Sequence, residues 1–174
     1  MKEDVEKFLV KGLSKKVVVE LAERAAVESD FFDALIDQIK LGKKTAAMKA
    51  SWVLQNASNI NPELASERAS IFVDLLKNES VGGVQRELLK ILGHIKWNNE
   101  LEGSYIDLCF QFLNSSEADV GAKYHCIANI KSVLKKYPEL KQELIHSVEP
   151  QLELYTEAWT RYSTKLLKAL KSMT

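Results

Sequence analysis

AAMKASWVLQNASNINPEL, residues 46–64, decides the fold of this 174-residue chain. Apolar residues recur at three and four spacing through Ala57, the pattern of an amphipathic helix. Asn61-Pro62 breaks the run, and Pro62 stands at the first position of a second helix, where its missing N–H is not needed. The stretch is therefore helix, tight turn, helix. Lys49 and Trp52 sit one turn apart on its first helix, and whether they form a functional site or one tooth of a repeat depends on the rest of the chain.

Outward from this stretch the same pattern continues. Only 3 prolines and 7 glycines interrupt the chain, and no segment keeps the strict alternation of a β-strand. Ser14, Asp30, Asn61, Ser80, Ser116 and the Tyr137-Pro138 step mark helix starts. Gly12, Gly42, Asn78, Asn98 and the span from Ser147 to Pro150 mark stops. About ten helices joined by short turns follow, and the fold class is all-α.

A bundle and a solenoid differ in internal periodicity. AAMKASWVLQNA around Lys49 aligns with VQRELLKILGHI around Arg86, GAKYHCIANIKSVL around Lys123 and AWTRYSTKLLKAL around Arg161, at successive spacings of 37, 37 and 38. Between them Ile71, Phe72, Leu75 and Leu76 precede Leu108, Cys109, Phe112 and Leu113 by 37, and Leu144, Ile145 and Val148 continue the row at 36. Each repeat is an outer helix and an inner helix that opens on a cation, and one such pair buries its apolar faces only by stacking on its neighbours. The expectation is a single domain over residues 1–174, with an N-terminal capping pair in residues 1–29 and about four helix pairs over 30–173. The Lys and Leu alternation after Trp159 provides a polar face for a C-terminal cap. The alignment of the first repeat stays open, at 40 or 37.

These residues resemble HEAT-like, armadillo-type helical repeats, most closely in KASWVL and RELLKIL, over roughly residues 30–173. The resemblance implies a right-handed α-α superhelix of about five antiparallel helix pairs and a role in binding. KASWVLQNASNINPEL and TRYSTKLLKAL also resemble a group of short bacterial HEAT-like proteins, some labelled adenylosuccinate lyase. Those lyases take their catalytic serine from a Ser-rich loop of the SSxMPxKxN type, which has no counterpart here, so no lyase activity is expected. Some HEAT-like proteins are DNA glycosylases with tryptophans and an aspartate in the concave face. Here Asn56, one turn past Trp52, stands where a carboxylate is required.

Composition narrows the remaining choices. Lys plus Arg and Asp plus Glu each number 24, so the global positive field of nonspecific nucleic-acid binders is missing. The N-terminus lacks the apolar run of a secretory signal, and no 18-residue apolar run occurs, so a cytoplasmic protein with no membrane span is expected. Cys109 and Cys126 lie in apolar segments and read as small buried hydrophobes. His94, His125 and His146 follow no metal spacing, and Gly82-Gly83 carries no phosphate-loop lysine. Neither metal, cofactor nor catalytic residue is expected.

The candidate binding residues are Lys49, Trp52, Arg86, Lys123 and Arg161. The four cations form a ladder if one charge recurs at one place per repeat, and such a row grips an acidic peptide or a phosphate backbone. The structural alternative ties each cation within its own repeat, as Asp119 to Lys123 and Glu157 to Arg161 do at four-residue spacing. Trp52 either stacks on a ligand or packs between repeats like Leu89 and Cys126, its equivalents at a spacing of 37. A non-catalytic module binding an unknown protein partner is the first expectation, and a nucleic-acid-binding module using the ladder the second.

Overall fold

A computed structural model describes residues 14–173. Ten α-helices occur among them: α1 (Lys15–Ala25), α2 (Ser29–Lys40), α3 (Lys44–Ile60), α4 (Pro62–Ser66), α5 (Ala69–Asn78), α6 (Gly82–Leu92), α7 (Asn99–Asn114), α8 (Val120–Val133), α9 (Leu140–Val148) and α10 (Glu157–Ser172). A 3-10 turn, Glu149–Gln151, follows α9, and no strand occurs among the described residues. The chain divides into two compact units, Met1–Glu102 and Gly103–Thr174.

In the first unit α3 is the hub, packing against α1, α2, α4 and α6, while α5 packs on α6. It accepts so many neighbours because Ala47, Ala50 and Ala57, all buried, let other helices approach its backbone closely. Phe31, Phe32 and Phe72 fill the space between elements, each fully buried and contributing about 1.5–3 kcal/mol. Phe32 meets Phe72 edge to face at 6.2 Å. Arg68, at the N-cap of α5, ties that helix to α2. Its Nε and Nη2 donate to the two Asp33 carboxylate oxygens at 2.5 and 3.0 Å, Nη2 to Ser29 Oγ at 2.6 Å and Nη1 to the Leu64 carbonyl at 3.0 Å. The guanidinium also lies over the Phe32 ring at 5.4 Å, and the Asp33 hydrogen bond holds its proton more tightly than usual.

In the second unit α9 packs on α8 and α10. Tyr124 stands edge to face against both Trp159 and Tyr162, at 5.3 and 4.8 Å. Asn129 of α8 donates to the Tyr105 hydroxyl of α7 at 2.6 Å. Thr156 caps α10 by accepting from the Trp159 N–H.

Several helix ends differ from their sequence signals. Ser14 caps α1 as its position suggests, accepting from the Val17 N–H at 3.3 Å. α2, however, starts at Ser29 on Glu28, with Asp30 inside its first turn, where a carboxylate suits the helix dipole. Asn61 precedes Pro62, but its side chain donates to the Ala26 carbonyl of α1 rather than capping α4. Asn98 starts α7 instead of ending α6, accepting from the Leu101 N–H at 2.8 Å. Asp119, not Ser116, caps α8. At Gly42 the backbone turns left-handed, φ 68°, which favours glycine and closes α2. Gly12 and the first half of the expected N-terminal pair lie outside the described residues.

Burial sets the register of the repeat. Ala47, Ala50, Ser51, Val53 and Leu54 on α3 correspond to Gln85, Leu88, Leu89, Ile91 and Leu92 on α6, all of them buried, at a spacing of 38. Val84, Gln85, Leu88, Leu89, Ile91 and Leu92 correspond in turn to Ala122, Lys123, Cys126, Ile127, Asn129 and Ile130 on α8, again at 38. From α8 to α10 the spacing is 37, carrying Ala122 to Trp159 and Cys126 to Ser163. The outer helices keep the expected 37 between Ala69, Phe72, Val73 and Leu76 on α5 and Ile106, Cys109, Phe110 and Leu113 on α7. The first outer helix fits at 37, one of the two spacings left open, with Phe32, Leu35, Ile36 and Ile39 corresponding to Ala69, Phe72, Val73 and Leu76, and a spacing of 38 also pairs buried residues. The inner rows slip because one position more separates Leu113 from Ala122 than separates Leu76 from Val84.

Candidate functional site

Each ladder cation falls one position away from the packing register of the one before it. A single step along a helix rotates a side chain by about 100°, so cations aligned at a spacing of 37 do not take equivalent places in a repeat packed at 38. Lys123 falls in the register of Gln85 and is wholly buried. Its ammonium donates to the Leu113 carbonyl at 2.7 Å and to Gln151 Oε1 at 2.9 Å, and lies over the Tyr155 ring at 5.2 Å. Gln151 is buried with it, donating to the Leu113 and Ser147 carbonyls at 2.9 and 2.7 Å and accepting the Trp159 indole N–H on its own carbonyl at 2.7 Å. Lys123 is thus a core cation, and Asp119, its expected partner, caps the helix through the Ala122 N–H at 3.2 Å. Arg161 is exposed on α10.

Lys49, Trp52 and Arg86 do come together. They line a hollow between α3 and α6 with Met48, Gly83 and Glu87, of about 260 Å³. Trp52 is exposed at 37%, whereas Leu89 and Cys126 are fully buried. Its packing equivalent at 38 is the half-buried Lys90 and not the buried Leu89. Met48 is exposed at 41% and lies over Gly83, where a Cβ would stand 3.0 Å from its terminal methyl. The glycine therefore lets the Met48 side chain of α3 rest on the backbone of α6. Lys49 and Arg86 are half-buried at the beginnings of the two helices. Glu87 Oε1 accepts from Lys90 at 2.8 Å within α6, and Oε2 is buried without a hydrogen-bond partner.

A larger hollow, about 420 Å³, lies between Asp33, Asp37, Lys40, Glu67 and Arg68. Its charges satisfy one another: Arg68 pairs with Asp33 and Glu67, and Lys40 with Asp37 at 3.6 Å. It is a structural clamp that the sequence reading missed. An arginine at a helix start, next to Glu67 and 35 residues after Asp33, was its available signal.

Groups with nucleophilic or metal chemistry are tied up elsewhere. Ser51 is buried and donates to the Met48 carbonyl at 2.9 Å. Cys109 and Cys126 are both buried and free. A hydrogen bond with the Cys109 sulfur, followed by burial, holds the Cys126 thiol well above its ordinary range. Among the described residues no three His, Cys, Asp or Glu side chains converge as metal ligands, and no helix is long and apolar enough to cross a membrane.

No curated protein and no solved structure matches the chain. The family model of the HEAT repeat domain matches residues 5–170. With its helices packed on their neighbours and its inner faces recurring at a spacing of 37 or 38, the chain belongs to the HEAT repeat family.

Proposed function

We propose that the protein is a non-catalytic binding module that holds a protein partner at the hollow between α3 and α6. HEAT repeat domains are in general interaction scaffolds, and stacked helices supply a rigid face for that work. The observation that carries the assignment to this place is Trp52. Tryptophan and arginine are among the residue types enriched at the energetic centre of protein interfaces, and here one of each lines the same concavity. Small-molecule sites begin at about 300 Å³. The hollow falls below that size and suits one or two side chains of a partner.

The nucleic-acid reading rests on a continuous row of cations. With Lys123 buried, the hollow offers Lys49 and Arg86, and two phosphate contacts give a salt slope of only about 1.4 on a single strand. Capture of the tagged full chain from its native lysate after nuclease treatment, in parallel with the Lys49→Glu/Arg86→Glu double variant, tests the assignment. The expected result is a nuclease-resistant protein lost with the double variant. Proteins retained equally by both contradict the site, and loss of all bound material to nuclease contradicts the class of partner.

A further inference from the structure

We propose that Cys109 and Cys126 form a redox latch, a reversible disulfide that ties α7 to α8 when the second unit opens in the presence of a small-molecule disulfide. Both thiols belong to that unit, so the latch is independent of the hollow between α3 and α6.

The pairing follows from the way α7 and α8 face each other. Asn129 donates to the Tyr105 hydroxyl at 2.6 Å, and Lys123 donates to the Leu113 carbonyl at 2.7 Å. Between these contacts α7 advances about two turns, from Tyr105 to Leu113, while α8 retreats about two, from Asn129 to Lys123, which is the progression of antiparallel neighbours. The middle rung, one turn on along α7 and one turn back along α8, is Cys109 and Cys126. Both side chains are fully buried, and neither is in a disulfide. A hydrogen bond joins the two sulfurs.

Burial makes the latch conditional. In the closed unit neither side chain meets solvent, and the Cys109 hydrogen bond, followed by burial, holds the Cys126 thiol well above its ordinary range. The thiolate that performs exchange is therefore withheld. Once α7 and α8 part, both restraints are lifted. One cysteine thiolate attacks a sulfur of the small disulfide, displaces one small thiolate and leaves a mixed disulfide on the protein. The cysteine opposite then attacks the protein sulfur of that bond and displaces the other small thiolate. Two protein S–H bonds and one external S–S bond are consumed. One protein S–S bond and two small thiols are formed, and the two protons end on those thiols. The protein sulfurs are oxidised and the reagent is reduced. Cys126 follows Cys109 by 17 residues, and closing a loop of that length restricts the opened chain more than the folded one.

The test incubates the reduced full-length protein with oxidised glutathione, in plain buffer and in urea below the unfolding midpoint, and maps disulfides by mass spectrometry of a non-reducing digest. The expected result is slow oxidation in buffer and oxidation about tenfold or more faster in urea, where local opening is more frequent. The product should be an intramolecular Cys109–Cys126 bond that dithiothreitol reverses. Its melting temperature should exceed that of the reduced protein by roughly 5 °C or more. In Cys126→Val, which fills the same space without a thiol, glutathione should stay on Cys109. Mixed disulfides that persist on both cysteines of the parent chain, disulfide-linked dimers, or a Cys109–Cys126 bond that lowers the melting temperature would each overturn the latch. Oxidation as fast in buffer as in urea overturns it too, as does the lack of oxidation in both.

Discussion

Gln85 and Lys123 occupy the same place on successive inner helices, and each reaches back to a backbone carbonyl at the end of the outer helix before it. Gln85 Nε2 donates to the Glu79 carbonyl at 2.7 Å, and Lys123 Nζ to the Leu113 carbonyl at 2.7 Å. Thr160, which follows Lys123 at a spacing of 37, donates to the Leu152 carbonyl at 2.8 Å in the same way. Carbonyls left unpaired at a helix end need such donors, so the recurring polar residue of this repeat is a helix-end clamp, and its charge at position 123 is incidental to the task.

Charge reversal therefore separates Lys123 from the other cations. Lys123→Glu places a carboxylate against the Leu113 carbonyl and the Gln151 amide oxygen in the core, and should cost more than about 4 kcal/mol or abolish folding. Lys49→Glu and Arg86→Glu, on partly solvated surfaces, should each stay within about 1 kcal/mol of the parent. Urea denaturation measures both. Equal losses at all three positions would show that Lys123 is not a core cation.

This contrast also shows what was legible in the sequence. The helices, their pairing and a period near 37 follow from apolar spacing, which the packing obeys. The register of the inner helices does not follow, because Lys49, Arg86 and Lys123 align by residue type at 37 while the buried faces of α3, α6 and α8 align at 38. A lysine ordinarily faces water, and nothing near residue 123 in sequence announces that Gln151 and Tyr155 will surround its ammonium. The same slip made Trp52 resemble the buried Leu89. Lys49, Trp52 and Arg86, three of the five candidates, nevertheless line one hollow, since residues about one repeat apart on neighbouring inner helices become neighbours in space.

Arg68 is the clamp that no motif announced. Arg68→Ala removes the paired bonds to Asp33, the bonds to Ser29 and the Leu64 carbonyl, and the contact with Phe32. It should cost about 2 kcal/mol, discounted for the half-exposed Asp33 carboxylate. Arg68→Lys should recover only part of it, because an ammonium cannot span both Asp33 oxygens. Thermal melting of the two variants checks the order.

Ser163 is fully buried and its hydroxyl has no hydrogen-bond partner. A buried hydroxyl without a partner is destabilising relative to an apolar group of similar size. Ser163→Ala should thus be neutral or raise stability by up to about 1 kcal/mol, and a loss beyond that in urea denaturation would mean the hydroxyl is satisfied.

Gly83→Ala should divide stability from binding. Alanine favours the helix over glycine, by about 0.5 kcal/mol in its first turn, and the atom it meets is the mobile end of the exposed Met48 side chain. The variant should be at least as stable as the parent, yet bind the captured partner several-fold more weakly because Met48, which lines the hollow, is displaced. Thermal melting and titration on the same preparation read the two effects.

The most direct measurement is an amide and indole NMR titration of the labelled protein with a captured partner or its binding fragment. The account predicts a saturable shift of the Trp52 indole N–H together with the Gly83 and Arg86 amides, while the indole N–H of Trp159, held on the Gln151 carbonyl at 2.7 Å, stays in place. Saturable binding with the Trp52 indole and the Gly83 amide unmoved would contradict it.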